Sequence, residues 1–239
     1  MKYLDRTFGT PQENLACDEA LLDWCEEGFP DEILRFWEPR QYFVVLGYSN
    51  RIRAEANMDS CKALGIPVLR RCTGGGTVLQ GPGCLDYALI LRIDDDSPLT
   101  SISRANAFIM NRNRGALGLI AGGNILIQGH TDLTLRGLKF SGNSQRRRRR
   151  FLLFHGSFLL RLDLSLVEQT LHMPSKQPQY RRDRSHKDFL TNLNLPADDI
   201  KHAMKLVWKA SESLPEIPQG RMERLVKEKY ATDAWNCKF

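Results

Sequence analysis

The sequence predicts an α+β fold with a mixed or antiparallel sheet. Segments typical of strands follow one another without intervening helices between residues 124 and 160, whereas a doubly wound fold alternates the two element types. Residues 102–119 and 197–210 instead repeat apolar residues at helical spacing. The glycine motifs that mark P-loop and Rossmann nucleotide sites, GxxxxGK[ST] and GxGxxG, are absent between strands and helices.

The first helix has clear limits in the sequence. Thr10 is the expected N-cap, Pro11 occupies the first helical position, Glu13 completes a capping box, and Gly28 ends the helix. Residues 52–64 are also expected to be helical, ending at Gly65. The strand candidates, in order, are EILRFWE, YFVVLG, IPVLRR, LDYALILRI, NILIQG, TDLTLRG, KFSGNSQ and FLLFHGSFLL.

The bulk composition is that of a globular protein. With 239 residues, 42% of them hydrophobic, the chain suits one large domain or a domain with a small appendage. The net charge of +6 is compatible with nucleic acid, an acidic protein or an anionic cofactor, and selects none of them. No signal peptide or stretch of ~20 apolar residues is present, so we expect a soluble, cytoplasmic protein without a membrane partner.

The six cysteines are scattered, with no CxxC pair. Reduced thiols are therefore expected, and we predict no metal site in the protein itself. Two of the cysteines, Cys72 and Cys84, flank the glycine-rich segment described next. They are either packing residues or nucleophiles, and the absence of a histidine beside either one in sequence favours packing.

The segment RRCTGGGTVLQGPGC, residues 70–84, joins two strand candidates. Its glycines allow backbone N–H groups to approach a ligand closely, and Arg70 and Arg71 suit phosphate or carboxylate. Val78 and Leu79 indicate that part of the ligand is apolar. An ordinary flexible turn is the alternative for the glycines alone, but the arginines and the flanking strands favour a ligand-binding loop.

Two further segments contain candidate site residues. Lys139 lies in GLKFSGNSQ, where small and amide side chains leave room for an anion beside the ammonium group. A lone lysine is more commonly a solvated surface residue. His155 lies in the strand FHGSFLL, and Gly156 after it indicates close approach by a backbone or a ligand.

The run Arg146–Arg150 lies between two strand candidates, at the expected tip of a hairpin. No aromatic residues interleave it, so a solvated loop that meets an acidic protein is favoured over nucleic-acid binding.

These segments together resemble the catalytic domain of lipoate–protein ligases, within the wider biotin/lipoate ligase family. RRCTGGGTVL is similar to the family motif R-R-x-[ST]-G-G-G-x-V, GLKFSGNSQ to its lysine motif, and FHGSFLL to its H-G-[ST]-[LF]-L-L strand. VVLGYSN resembles the upstream loop that contains a glycine and an asparagine. The segments follow the family order within residues 1–190.

The resemblance implies a fold like that of class II aminoacyl-tRNA synthetases and biotin protein ligases, with a mixed, largely antiparallel central sheet flanked by helices. It implies activation of lipoate or octanoate by Mg²⁺-ATP to an acyl-adenylate, followed by acyl transfer to a lysine of a lipoyl-domain or lipoate-binding carrier protein. Lys139 would be catalytic, touching the acyl carbonyl and the α-phosphate.

The remaining site residues are also implied by the resemblance. The expected cofactor-binding residues are Arg71, Gly74, Gly75, Gly76, Thr77, Val78, Leu79 and Asp86. The expected substrate-binding residues are Gly47, Asn50, Arg70, Ser141, Gly142, His155 and Gly156. Asp86 replaces what is more often an asparagine in this part of the family.

The chain departs from its resembled relatives in two further ways. Octanoyltransferases of this family use a cysteine either upstream of the motif lysine or downstream of the His–Gly strand, and this chain has none at either place. This favours the ATP-dependent ligase. Residues 191–239 are expected to form a helical extension packed on the catalytic domain, too short for a full accessory domain, so a separately encoded subunit is a further expected partner.

Two alternatives stay open at this point. One is octanoyl transfer from acyl carrier protein through Cys72 or Cys84. The other is a non-catalytic module that binds acyl carriers, or nucleic acid through Arg146–Arg150.

Overall fold

The computed structural model describes all 239 residues. The helices are α1 (Pro11–Glu27), α2 (Ile52–Glu55), α3 (Met58–Ala63), α4 (Ile102–Gly118), α5 (Leu164–Thr170), α6 (His186–Phe189), α7 (Ala197–Trp208), α8 (Gln219–Leu225) and α9 (Asp233–Asn236). The strands are β1 (Lys2–Asp5), β2 (Ile33–Trp37), β3 (Phe43–Leu46), β4 (Val68–Arg70), β5 (Val78–Gln80), β6 (Cys84–Arg92), β7 (Ile125–Gln128), β8 (Asp132–Leu135), β9 (Leu138–Arg147), β10 (Phe151–Leu159) and β11 (Glu212–Ser213).

Eight strands form the central sheet, in the order β11-β1-β2-β6-β10-β9-β8-β7. β1 runs parallel to both of its neighbours, and all other pairs in this sheet are antiparallel. Helices cover both faces. The predicted mixed, largely antiparallel sheet flanked by helices is therefore confirmed.

One face of the central sheet packs against α4 and α7. The predicted apolar stripe of α7 supplies Ile200 and Met204, both completely buried in this core. Between the two helices, Trp208 Nε1 donates a hydrogen bond to Asn113 Oδ1 at 2.9 Å. Asn113 Nδ2 in turn donates to the Tyr87 hydroxyl at 2.7 Å, so the polar atoms between the helices and the sheet are paired.

The opposite face packs against α1. Its predicted start is confirmed, since the Thr10 hydroxyl accepts from Glu13 N at 3.2 Å and the Glu13 carboxylate accepts from Thr10 N at 2.8 Å. Its predicted end at Gly28 is confirmed as well. Leu21 and Leu22 are completely buried in the core between helix and sheet. The capping box and the apolar face together define how α1 lies on the sheet.

A second sheet, ordered β4-β3-β5, lies beside α1 on this same face. The glycine loop, residues 72–77, connects β4 to β5. Residues 52–64 form two short helices, α2 and α3, in place of one, because the chain extends at Ala56 to pair with Leu171 before Asn57 caps α3. A cavity opens between the two sheets.

The residues after 190 pack on both faces of the central sheet. β11 extends its edge beside β1, and α8 together with the π-helical segment Val226–Tyr230 lies against α1. The division of the chain at residue 190 stays a prediction. No helix combines the length and apolarity needed to cross a bilayer.

Candidate functional site

A cavity of about 950 Å³ opens between the central sheet and the glycine loop. Its size lies at the upper end of the range for small-molecule sites. Twelve of the residues singled out from the sequence line it: Arg71, Gly75, Gly76, Thr77, Val78, Leu79, Asp86, Lys139, Ser141, Gly142, His155 and Gly156. The structure therefore brings the three sequence motifs to one place.

A β-bulge directs Lys139 into this cavity. Leu133 pairs with Ser141 and Thr134 pairs with Lys139, so Phe140 is the extra residue on β9. Because side chains alternate along a strand, the extra residue turns Lys139 to the same face as Gly142. A Cβ added at Gly142 would lie only 2.7 Å from Lys139 Nζ, so the glycine provides the space that the ammonium group occupies.

The ammonium group of Lys139 is paired with a carboxylate at one end of the cavity. Nζ lies 2.8 Å from Asp132 Oδ1, and the other Asp132 oxygen accepts from the Tyr180 hydroxyl at 2.6 Å. Burial, followed by the Asp132 charge, raises the pKa of Tyr180, which keeps its hydroxyl a donor. At this part of the cavity the Lys139 ammonium group is thus paired with the Asp132 carboxylate, a partner that an anionic ligand could replace.

The glycine loop is held by the guanidinium of Arg71. Its Nη2 donates to the carbonyls of Gly74 and Gly76 at 2.6 and 2.8 Å, and Ser144 Oγ on β9 donates to Gly74 O at 2.8 Å. Burial lowers the pKa of Arg71 to about 10, so the group stays charged at neutral pH. The loop backbone is thus positioned over the strands that carry Lys139 and His155.

A relay of hydrogen bonds continues from Arg71 into the protein. Arg71 Nε donates to Thr73 Oγ1 at 3.0 Å, Thr73 Oγ1 lies 2.7 Å from His155 Nε2, and His155 Nδ1 lies 3.0 Å from Asp18 Oδ2. Asp18 also forms an ion pair with the completely buried Arg35. Burial opposes ionisation of Asp18, but Arg35 and His155 outweigh it and hold its pKa below the usual value.

Four residues predicted to bind ligand lie outside the cavity lining: Gly47, Asn50, Arg70 and Gly74. Arg70 is completely buried, and its guanidinium donates to the carbonyls of Gly47, Asn50 and Asn236 at 2.8–3.0 Å. The expectation that Arg70 contacts substrate is corrected accordingly, because its buried guanidinium donates its hydrogen bonds to backbone carbonyls. Packing explains why residue 47 is a glycine, since a Cβ there would lie 2.0 Å from Gly75 O.

Gly156 also has a partner inside the protein. A Cβ at this position would lie 1.8 Å from Asn143 Oδ1, the oxygen that accepts from the Tyr87 hydroxyl at 2.6 Å. The close approach expected at Gly156 is thus made by the Asn143 side chain. Asn143 Nδ2 donates to Thr131 O at 2.7 Å, which ties the loop before β8 to β9.

Much of the cavity wall is apolar, and the apolar part reaches Lys139 itself, which pairs with Leu190. Side chains from α1, both sheets and the segment through α5 and α6 form its walls, among them Leu15, Trp37, Val45, Val78, Leu79, Leu159, Leu162, Val167, Leu171, Phe189 and Leu190. Asp86 lies in this part, within β6 and not in a loop. Such walls suit an aliphatic chain, whereas the Lys139 ammonium group suits an anion.

No cysteine lines the cavity. Cys72 and Cys84 are buried, and burial raises the pKa of Cys72 to about 12 and that of Cys84 further above its usual range. No group of three or more His, Cys, Asp or Glu side chains is arranged to hold a metal ion.

The run Arg146–Arg150 is only partly solvated: Arg148–Arg150 form the exposed hairpin turn, as expected, but several of the five residues also bind acidic residues of the same chain. Arg146 pairs with the buried Glu19 at 3.1 Å, Arg148 pairs with Asp23 at 2.7 Å, and Arg150 N donates to Glu26 at 2.9 Å. Strand β9 includes Arg147, so the hairpin turn is shorter than expected. The acidic partner of this run is therefore α1 of the same chain.

Sequence reasoning missed three residues of the site. Asp132, Asp18 and Gln80 all line the cavity. Asp18 follows Asn14 by four residues, on the buried side of α1, and polar residues on a helix face that is otherwise apolar are a signal of a buried network. Asp132 and Gln80 carry no comparable signal, since each lies among ordinary strand residues.

The family model described as the lipoyl protein ligase A/B catalytic domain matches residues 10–206. Octanoyltransferase LipM of Halalkalibacterium halodurans is 25% identical over 270 residues, which cover 98% of each chain. Lipoate-protein ligase A subunit 1 of Thermoplasma acidophilum is 27% identical over 248 residues, covering 96% of this chain and 93% of that one.

Solved structures of similar fold include a bipartite lipoate protein ligase from Thermoplasma acidophilum, with a TM-score of 0.83 and 23% identity over 99% of this chain and 96% of that one. Lipoate-protein ligase A bound with ATP gives a TM-score of 0.82 and 23% identity over 99% of each chain. At 23% sequence identity, the similarity to these structures shows a shared fold. The family model, which matches most of the chain and all three motifs, identifies it as a member of the lipoyl protein ligase A/B catalytic-domain family.

Proposed function

We propose that this protein is a lipoate–protein ligase that activates lipoate or octanoate with ATP and passes the acyl group to a lysine of a lipoyl carrier domain. The observation that carries the proposal is that one cavity joins the cation of Lys139 to an extended apolar wall. An acyl-adenylate has the same two parts, an anionic phosphate and an aliphatic chain. A cation and apolar walls would hold the two parts in one orientation.

The first half-reaction needs charge stabilisation near Lys139. An oxygen of the acid attacks the α-phosphorus of ATP, the bond to the β-phosphate bridge breaks, and pyrophosphate leaves. Lys139 would hold the carboxylate and the α-phosphate together and would release Asp132, its present partner at 2.8 Å. Such positioning is effective because it replaces a chance encounter by a fixed geometry.

Mg²⁺ is expected to accompany the nucleotide. The ion keeps several waters and binds through one or two carboxylates together with substrate phosphates. The carboxylate available beside Lys139 is Asp132, which fits that limited requirement. When bound, the ion would neutralise phosphate charge.

In the second half-reaction the neutral amine of the carrier lysine attacks the acyl carbonyl, the bond from the acyl carbon to the phosphate oxygen breaks, AMP leaves, and the nitrogen loses a proton to solvent. Here Lys139 would stabilise the oxyanion that develops on the carbonyl oxygen. Gly75 and Gly76 form an exposed rim of the cavity, where a lysine side chain from another protein has access. The partner would therefore approach over the glycine loop.

A direct test measures pyrophosphate release and acyl-adenylate formation with ATP and lipoate, for the wild type and for Lys139→Ala. We expect the variant to lose nearly all activity while its melting temperature stays within a few degrees, because Lys139 is partly exposed. Lys139→Ala with unchanged turnover would remove Lys139 from the mechanism.

A separately encoded accessory subunit is part of the proposal, as the names of a relative and of a structural neighbour suggest. Synthetic lipoyl-AMP separates the two halves of the reaction. If this chain alone transfers the acyl group from lipoyl-AMP to a lipoyl domain but forms no adenylate from ATP, the first half-reaction requires another subunit. If it does both, no further subunit is needed.

Octanoyl transfer from acyl carrier protein is the second candidate, because several relatives are octanoyltransferases. A cysteine thioester would need a thiolate at the cavity, and the buried Cys72 with its raised pKa is poorly suited to that role. Incubation with octanoyl-acyl carrier protein in the absence of ATP decides between the two. A covalent octanoyl adduct that is lost in Cys72→Ser or Cys84→Ser would support the transferase.

A further inference from the structure

A polar cluster interrupts the apolar part of the cavity. Gln80 Nε2 donates to Asp86 Oδ1 at 2.7 Å and lies 2.8 Å from Ser157 Oγ, and the Ser157 hydroxyl donates to Asp86. All three residues line the cavity. Asp86 is only 2% exposed and Gln80 only 7%, so the cluster is a built feature of the wall and not a solvated edge.

Two oxygens of this cluster have no hydrogen-bond partner: Gln80 Oε1 and Asp86 Oδ2. Buried polar atoms are nearly always paired, and each exception calls for an explanation. A plain alkyl chain would exclude water and leave both oxygens unpaired. A chain that carries a heteroatom at this depth would offer them a partner.

The strand register places the cluster at a defined distance from Lys139. Trp37, Asp86, Ser157 and Gly142 are consecutive partners across β2, β6, β10 and β9, and Lys139 Nζ lies over Gly142. Neighbouring strands are about 4.8 Å apart, so Asp86 lies roughly 10 Å from Gly142 along this row.

That distance matches the length of an eight-carbon acid. Seven extended C–C bonds span roughly 9 Å. An acid with its carboxyl group at Lys139 and its tail directed toward Trp37 therefore brings carbons 6 to 8 beside Ser157 and Asp86. The first carbons of the chain would lie over Gly142, which has no side chain to obstruct them.

We propose that Asp86 and Gln80 determine acyl specificity, by favouring an eight-carbon acid with a hydrogen-bonding heteroatom on carbons 6 to 8 over plain octanoate. The inference rests on the proposed function and deepens it. Within that function, the sulfurs of the lipoate dithiolane are the heteroatoms that the cluster meets.

The protonation of Asp86 supports this role. Burial raises the pKa of Asp86 to about 8, and the Ser157 hydroxyl opposes the shift only in part. At pH 7 the carboxyl group is mostly protonated, so its free oxygen is a donor. Sulfur accepts hydrogen bonds weakly, and a hydroxyl group would both accept from Asp86 and donate to Gln80.

The test compares kcat/KM for lipoate, 8-hydroxyoctanoate and octanoate, measured as acyl-adenylate formed by the intact protein with any accessory subunit that it requires. For the wild type we expect lipoate to exceed octanoate. Asp86→Leu should lower the ratio of kcat/KM for lipoate to kcat/KM for octanoate about tenfold, which corresponds to the loss of one hydrogen bond. Asp86→Asn keeps a donor in place and should retain most of the ratio.

Gln80→Leu provides a second variant if Asp86→Leu does not fold, and calorimetric binding of the free acids gives a readout that does not depend on catalysis. A ratio unchanged in Asp86→Leu or Gln80→Leu would overturn the inference, as would a wild type that uses octanoate as well as lipoate. Preference for 8-hydroxyoctanoate would support the cluster and assign a hydroxyl group as its ligand. No adenylate from any of the acids would overturn the proposed function itself.

Discussion

Thr73 Oγ1 lies 2.7 Å from His155 Nε2, although the two residues are 82 positions apart in the chain. The contact joins the glycine loop to the His–Gly strand. His155 Nδ1 lies 3.0 Å from the Asp18 carboxylate, so the two ring nitrogens connect the glycine loop to the buried Asp18. Thr73 Oγ1 also accepts from Arg71 Nε at 3.0 Å, so one set of hydrogen bonds orients the arginine that holds the loop.

Replacing the Thr73 hydroxyl tests this relay. In Thr73→Val, Arg71 Nε and His155 Nε2 lose their common partner, and we expect kcat/KM for adenylate formation to fall about tenfold or more. Thr73→Ser restores the hydroxyl and should recover most of the activity. The change should appear mainly in KM if the relay positions the loop for binding. Equal activity of the valine and serine variants would show that the hydroxyl is not needed.

The three consecutive glycines are predicted to differ in their tolerance of a side chain. Gly75 has a φ of +87°, and a Cβ there would lie 3.0 Å from Arg71 Nη2, whereas a Cβ at Gly74 meets nothing within 4 Å. Gly75→Ala should therefore strain the loop by about 1–2 kcal/mol or more and reduce kcat/KM by at least tenfold. Gly74→Ala is the matched control and should stay within about twofold of the wild type.

The measurement is steady-state adenylate formation together with the melting temperature of each variant. Similar losses in Gly74→Ala and Gly75→Ala would show that flexibility of the whole loop matters, and not the conformation of one residue.

Much of the fold follows from local sequence signals. The capping box at Thr10 and Glu13 marks the start of α1 because both partners lie within one turn. The motif around Lys139 also identifies a site residue. Its direction, however, depends on the bulge at Phe140, and a bulge is set by the pairing with β8, which no local pattern reveals.

The errors have a common physical origin in long-range contacts. Arg70 looks like an anion-binding residue beside the glycines, but its partners include backbone groups 165 and 166 positions away. The run Arg146–Arg150 looks like a fully solvated loop, but acidic residues of α1, 124 to 127 positions earlier, bind Arg146, Arg148 and Arg150. Such partners become visible only when the chain is folded.

The buried Asp86 predicts an unusual dependence of stability on pH. Its folded-state pKa of about 8 lies above the unfolded value, near 3.9. The folded state therefore binds more protons between these values, and the contribution of Asp86 to stability is complete below about pH 4 and is lost as pH rises toward 8. Asp86→Asn removes this titration.

We therefore expect the free energy of unfolding of Asp86→Asn, relative to that of the wild type, to rise by up to about 4 kcal/mol from pH 5 to pH 8. Urea denaturation at unit intervals of pH measures this difference, and all groups that titrate equally in both proteins cancel. A difference that does not change with pH would mean that Asp86 is ionised in the folded protein.

Arg70 is predicted to stabilise the fold by binding the C-terminal segment, and not to bind ligand. Its guanidinium donates to the carbonyls of Gly47, Tyr48, Asn50, Trp235 and Asn236, and Arg70→Ala leaves these groups without that partner. We expect the free energy of unfolding to fall by about 3 kcal/mol or more. Arg70→Lys should not recover it, because one ammonium group cannot replace a planar fork that reaches five carbonyls.

Arg149→Ala is the matched control, since Arg149 lies exposed at the hairpin turn, and its effect should stay within about 0.5 kcal/mol. Thermal and urea denaturation give the stabilities, and calorimetric titration with lipoate gives the affinity at a temperature where each variant is folded. Affinity of folded Arg70→Ala should fall only modestly, through the loosened loop at Gly47. A variant of normal stability that no longer binds lipoate would instead return Arg70 to the substrate-binding role that its position beside the glycines first suggested.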